Sequence, residues 1–250
     1  MSGVLIVGSS GHARVIVDII ERTGTHSILG FLDDTKLPGM IEIGYPILGS
    51  LDDLPEVVRE HDPQGFFVAV GDNWNRGIVA AKIKQLAPAL PALTTVHPGA
   101  QVARSACLGP GTAVMAGGVV NSNASVGSFC IVNTRASVDH DSCLDDFASI
   151  GPGATLAGNV RVGAYSAICL EACVAEKVSI GSHAVVGAGS VVLGDLPDQV
   201  VAYGTPARVI IAKPGRLLST LTPARASLYS LWIYLCVIES LSRSQEGSGR

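Results

Sequence analysis

Aromatic side chains are scarce, at 5 % of the 250 residues, and charged side chains make up only 15 %. A chain so poor in charge, with 48 % apolar residues, can bury a core and is not an intrinsically disordered polymer. Its formal charge of −4 argues against a protein whose main task is gripping nucleic-acid phosphates. No C-x-x-C pair occurs among Cys107, Cys130, Cys143, Cys169, Cys173 and Cys236. No basic segment precedes a long apolar run at Met1-Ser2-Gly3-Val4. A disulfide framework and a secretory leader are therefore not expected, whereas reduced thiols and a cytoplasmic location are. The one membrane-like stretch, Leu228 to Ile238, would reach about 16 Å as a helix against about 30 Å of hydrocarbon. It is too short to span.

What the chain does have is glycine, 29 residues of it, and short aliphatics in a strict period. Stepping by six from Val96 gives Val102, Leu108, Val114, Val120, Val126, Val132, Val138 and Leu144. The series continues through Ile150, Leu156, Val162, Ile168, Val174, Ile180 and Val186 to Val192 without a slip. Chance would produce such a run on the order of once in 10⁸ trials. A second column, four residues on, holds small or β-branched residues such as Thr112, Ala124, Cys130, Ala136, Ser142 and Ala154. The column directly after the aliphatic one favours Gly, Ala, Asn and Asp (Gly109, Asn121, Gly127, Asn133, Asp139, Gly151, Gly163), read here as residues that tolerate left-handed or tight-turn angles.

These columns predict a parallel β-helix in which each hexad is a short strand and a corner, and three hexads close one triangular coil. Cys130 lies in the small column and needs no chemistry to explain it. His140, in Asp139-His140-Asp141, takes the third place of its hexad and so faces outward. A histidine flanked by carboxylates is a candidate general base, because a carboxylate fixes its tautomer and stabilises its protonated form. Zinc chemistry needs ligands that converge, and His97, His140 and His183 are spaced by 43 residues, more than two coils. They cannot share an ion within one chain, and no metal is expected.

Ahead of the repeat, Val4-Leu5-Ile6-Val7-Gly8 reads as a buried strand, followed by Ser9-Ser10-Gly11-His12 and a helical pattern at Val15, Ile16, Ile19 and Ile20. A strand, a glycine turn and a helix start form an amide cluster suited to a diphosphate, although the full G-x-G-x-x-G fingerprint is missing. Further strands are expected at Ile28–Leu32, ending in Asp33-Asp34, and at Phe66–Val70; helices are expected near Leu51–Glu60 and Arg76–Leu86. The expected fold is a small N-terminal parallel α/β (Rossmann-like) domain over residues 1–92, then a β-helix over 93–210, then an extension over 211–250. In that extension Pro214 and Pro223 precede an apolar helix at 228–238 and a polar end.

The hexad pattern resembles the left-handed β-helix acyltransferases over about residues 96–197. Gly8-Ser9-Ser10-Gly11-His12, Phe31-Leu32-Asp33-Asp34, Gly71-Asp72-Asn73, His97-Pro98 and the closing Gly204-Thr205-Pro206-Ala207 are similar to motifs of the sugar O-acyltransferase family, typified by the sialic acid acetyltransferases. That family includes N-acetyltransferases of nucleotide-linked 4-amino sugars. The resemblance implies an acetyl-CoA-dependent transferase working as a homotrimer, with active sites between neighbouring prisms. It implies His140 as base with Asp141 and Asp139 around it, and Gly11 and His12 at the phosphates of the nucleotide sugar. Asp33 and Asp34 would lie near the base or ribose, and Asn121, Asn133 and Thr134 near the sugar ring. Ser149, Gly158, Leu170 and Ala188 would line the acetyl-CoA site, with a backbone amide at Gly158 facing the developing oxyanion.

The chain departs from the family pattern at Ser149, where many relatives carry histidine, and at Arg135, Cys169, Glu171 and Lys177, where glycine is common. Glu171 is expected to repel CoA phosphates if it lines their groove. The favoured acceptor is an amine on a nucleotide-linked deoxyaminosugar. A sialic acid hydroxyl is the alternative within enzymes, and a non-catalytic nucleotide-sugar-binding prism is the alternative outside them.

Overall fold

The computed structural model describes residues 2–212, so the expected helix at 228–238 and the polar end after it lie outside the described residues. The N-terminal part runs β1 (Ser2–Val7), α1 (Gly11–Thr23), β2 (His26–Leu32), β3 (Ile41–Glu42) and β4 (Tyr45–Gly49). It continues with α2 (Leu54–His61), β5 (Phe66–Val68) and α3 (Asn73–Leu86). The sheet order is β3-β4-β2-β1-β5, parallel except for the β3–β4 hairpin. The central strand β1 is buried on both faces: Val4 and Ile6 pack with Ile16, Val17 and Ile20 of α1, while Leu5 and Val7 pack with Leu54, Val57 and Ile83. Each such side chain contributes about 1.5–3 kcal/mol of hydrophobic stabilisation.

Two local features differ from expectation. The β3–β4 turn puts Ile43 and Gly44 at φ 52° and 84°; a β-branched residue in that position is no turn signal, so the hairpin was not legible. Helix α3 starts at Asn73 rather than near Arg76, because the Asp72 side chain caps it by accepting from the Asn75 N–H at 2.8 Å.

Beyond Thr95 the chain is a left-handed β-helix. Each aliphatic position from Val96 to Val192 closes a two-residue strand, and the strands stack in three parallel sheets, as in the register Val120↔Val138↔Leu156. From Val114 onward these side chains fill the interior, with the buried small column at Ala124, Cys130, Ala136, Ala148, Ala154 and Ala172. Hydroxyls in that column are paired: Ser142 Oγ donates to the Ala157 carbonyl at 3.1 Å and accepts from the Val160 N–H at 3.1 Å. An antiparallel hairpin, Val200–Gly204 with Ala207–Ala212, ends the described prism, so the last strand runs two residues past the expected boundary at 210.

The column after the aliphatic residues needs a corrected explanation. None of Gly109, Asn121, Gly127, Asn133, Asp139, Gly151 or Gly163 has a positive φ. Its glycines are required by close stacking: a Cβ on Gly109 or Gly163 would lie 2.5 Å from backbone of the next coil. The left-handed angles fall two residues later and form three corner ladders. The first corner carries Gly111, Phe129, Phe147, Tyr165 and His183; the second carries Gly117, Arg135, Gly153, Glu171 and Gly189. The third carries Asn123, Asp141, Asn159 and Lys177.

The first corner is where the N-terminal domain docks. Phe129, Phe147, Tyr165 and His183 stack ring on ring at 5.3, 4.8 and 5.0 Å, and Trp74 of α3 leans on Tyr165 at 5.6 Å. Gly77 lets α3 approach, since a Cβ there would sit 2.7 Å from the Tyr165 ring. Arg76, only 1 % exposed, donates across the junction to the carbonyls of Phe129 (2.8 Å) and Phe147 (3.0 Å). It also donates to the carbonyls of Val70 and Gly71 and to Asn73 Oδ1. Asn73 Nδ2 donates to the Ser166 carbonyl at 3.0 Å. Helix α1 adds an apolar contact, Ile19 against Met115 and Ile131.

Candidate active site

The third corner presents His140. Its ring Nδ1 lies 2.8 Å from Asp141 Oδ2, and its backbone N–H donates to Asp139 Oδ1 at 2.7 Å. One coil earlier, Asn121 Nδ2 donates to Asp139 Oδ1 at 2.7 Å and Asn123 Nδ2 donates to Asp141 Oδ1 at 3.2 Å. One coil later, Gly158 leaves space for the ring: a Cβ there would meet His140 Cε1 and Nε2 at 2.6 Å. With Nδ1 turned to a carboxylate, Nε2 is the free face. The hydrogen bond to Asp141 raises the His140 pKa; desolvation works against it, and the charges of Asp139, Asp141 and Glu176 add to the rise. Asp141 is held below the usual carboxylate range by the hydrogen bonds from His140 and Asn123, and Asp139 by those from the His140 backbone and Asn121. The Gly158 N–H is engaged by no acceptor among the described residues.

This arrangement can hold a neutral imidazole in the tautomer that accepts a proton at Nε2, beside a free backbone amide. The fold that carries it has solved relatives. A histidine-to-asparagine variant of perosamine N-acetyltransferase from Caulobacter crescentus, in complex with CoA and GDP-perosamine, matches at 36 % identity with a TM-score of 0.80. The match covers 85 % of this chain and 98 % of that one. The chain belongs to the nucleotide-aminosugar N-acetyltransferase family.

Other comparisons agree. Residues 3–83 match the PglD N-terminal domain family. The acetyltransferase domain of PglB from Neisseria gonorrhoeae FA1090, in complex with acetyl coenzyme A, is 34 % identical with a TM-score of 0.76 over 84 % of this chain and 99 % of that one. UDP-N-acetylbacillosamine N-acetyltransferase of Bacillus subtilis (strain 168) is 36 % identical over 121 residues, 46 % of this chain. The chain spans about half the length of that curated relative, 52 %.

For this member of the acetyltransferase family, the remaining predicted site residues fall into separate groups. Gly11 is exposed at the start of α1, with nothing within 4 Å of where a Cβ would be. His12 follows it, half-buried, and burial together with the nearby Arg76 charge lowers its pKa to about 4, so it is neutral at physiological pH. Asp33 stitches two loops, with Oδ2 accepting from Ser9 N–H and Oγ and Oδ1 accepting from Thr35 N–H and Oγ1. Burial would raise its pKa, but those hydrogen bonds outweigh it and keep the carboxyl ionised. Asp34 accepts from the Leu51 N–H at 2.8 Å. Lys36, not singled out from the sequence, reaches the Ser9 carbonyl at 3.2 Å and Glu42 at 2.9 Å, which puts a cation beside the glycine turn.

Asn133 turns its Oδ1 to the Thr134 N–H at 2.8 Å, and Thr134 is exposed at the second corner. Leu170 and Ala188 stack in that same column, two and three coils on from Thr134. Ser149 pairs with Ile131 on the sheet against which α1 packs. The structure thus brings Asp139, His140, Asp141, Asn121 and Gly158 together and leaves Thr134, Leu170 and Ala188 at another corner. Two departures from the family pattern meet each other: Arg135 Nη2 and Glu171 Oε1 are 3.7 Å apart across Gly153. Glu171 therefore carries its own counter-ion. Burial pushes the Cys169 thiol up to about 11, which leaves little of it as thiolate at neutral pH. Among the described residues no cluster of His, Cys, Asp and Glu could hold a metal ion, and no helix is long and apolar enough to cross a membrane.

Asn123 and Arg76 were not singled out by the sequence, and Asn73 stood there only within Gly71-Asp72-Asn73, without its docking contacts. Asn123 sits 18 residues before Asp141, one full coil, and that spacing was the available signal. Arg76 gave none, because its prism partners are 53 and 71 residues away.

Proposed function

We propose that this protein transfers the acetyl group of acetyl-CoA to the 4-amino group of a nucleotide-linked deoxyaminosugar, with His140 as general base. The observation that carries the reading is the His140–Asp141 pair at 2.8 Å with the ring lying over Gly158, in a chain of this family. Nε2 takes a proton from the sugar amine as its nitrogen forms the bond to the thioester carbonyl. The Gly158 N–H faces the oxyanion of the tetrahedral intermediate. Collapse expels the CoA thiolate, which takes the proton back from the imidazolium. Asp141 holds the ring and stabilises its charged form. No acyl-enzyme is required, and the thiols raised by burial at Cys130 and Cys169 are poor nucleophiles.

The nucleotide portion is assigned to the α1 start, where Gly11 and His12 stand at a helix N-terminus with Lys36 close by. Asp33 and Asp34 are assigned to the base or ribose, and Asn121, Asn133 and Thr134 to the sugar ring. Ser149, Leu170 and Ala188 are assigned to acetyl-CoA. His140 lies at one corner of the prism, Leu170 and Ala188 at another and Ser149 on a sheet, which supports a homotrimer whose sites are completed across neighbouring chains. Sedimentation velocity tests the trimer. The reaction is tested by thiol release from acetyl-CoA against UDP-, GDP- and dTDP-linked 4-amino sugars and free sialic acid, comparing wild type with His140→Ala. Release with an amino sugar, lost by at least about a hundredfold in the variant, is expected; release with sialic acid alone would move the acceptor to a hydroxyl.

A further inference from the structure

We infer that Asn123 is a positioning residue for His140, acting through Asp141; this rests on the general-base reading above. Asn123 and Asp141 occupy the same corner on successive coils, at φ 59° and 57°, so their side chains leave the prism side by side. The Asn123 N–H donates to Ser105 Oγ at 3.1 Å, which ties the residue to the coil before it. Its Nδ2 donates to Asp141 Oδ1 at 3.2 Å, while Asp141 Oδ2 receives His140 Nδ1 at 2.8 Å.

Asp141 is about half exposed, at 47 %, so water competes for both of its oxygens. A carboxylate tethered at one oxygen only can rotate away from the imidazole. With Asn123 on Oδ1, the carboxylate plane is fixed and Oδ2 stays on Nδ1. The proton then stays on Nδ1, and Nε2 keeps its lone pair on the side of Gly158. The parallel rung, Asn121 to Asp139 to the His140 N–H, fixes the backbone beneath the ring. Glu176 and Lys177, two coils later, pair with each other at 3.1 Å and supply no donor to Asp141.

The left-handed φ makes a clean test possible. Asn123→Gly removes the amide but suits a φ of 59°, so the fold should be as stable as wild type or more so. Asn123→Asp keeps the shape, loses the N–H donors and sets a second carboxylate against Asp141. In ¹⁵N-edited NMR of the imidazole ring, His140 in the wild type should carry its proton on Nδ1. Asn123→Gly should shift population toward the Nε2–H tautomer, and kcat should fall roughly tenfold with KM unchanged, a part of the 10²–10⁴ that a general base supplies. Asn123→Asp should fall further. An unchanged tautomer in both variants, or a shifted tautomer with unchanged kcat in an active enzyme, would overturn the inference. A wild type that acetylates no amino sugar, but whose tautomer still shifts in Asn123→Gly, would sink the proposed reaction and leave the positioning role standing.

Discussion

Gly158→Ala separates catalysis from folding at this site. Gly158 is buried, and its backbone φ is not left-handed, so alanine adds no backbone strain. The three atoms nearest to the added methyl all belong to the His140 ring, two of them at 2.6 Å. That is about 0.9 Å short of the ~3.5 Å at which such atoms rest in contact. The ring is exposed and yields first, moving by about that distance or swinging off the Asp141 hydrogen bond. A displacement of this size at a reacting group costs about a hundredfold in kcat, or about 2.7 kcal/mol of transition-state stabilisation. Stability should change by less than about 1 kcal/mol, because an exposed side chain rather than packed backbone makes way. Steady-state thiol release and urea unfolding of the same preparation measure the two quantities. A Gly158→Ala enzyme with kcat within about threefold of wild type would refute the placement of the base.

The pH profile should follow the same residue. Since only the neutral imidazole accepts a proton, kcat/KM should fall as pH is lowered through a His140 pKa above the ordinary 6.5. Asp141→Asn should move that midpoint down toward 6.5 while lowering the plateau. Arg76→Met should destabilise the protein by about 3–5 kcal/mol, by stranding the carbonyls of Phe129, Phe147, Val70 and Gly71; urea denaturation followed at Trp74 reads the loosened domain. His12, held neutral with a pKa of about 4, binds fewer protons in the folded than in the unfolded chain between pH 6.5 and 4. Stability should therefore decline as pH falls through that window, by about 2–3 kcal/mol in all, and His12→Gln should flatten the decline in acid unfolding curves.

The sequence by itself determined the prism. A side chain that must point inward every sixth residue imposes one answer, and every aliphatic position from Val96 to Val192 ends a strand where the period put it. It also determined that His140 faces outward between two carboxylates, because place in the hexad sets direction. The period does not show why its glycines are needed: stacking distance, not φ, requires them at Gly109 and Gly163, and spacing alone carries no information on how closely coils approach. Only the tertiary structure decided which Asp141 oxygen takes the imidazole and which takes Asn123, since that depends on parallel side chains at one corner of successive coils. It alone paired Arg135 with Glu171 and seated Arg76 on the carbonyls of Phe129 and Phe147. A repeat encodes neighbours one coil away. The docking of a second domain depends on shape and unsatisfied carbonyls that no period records.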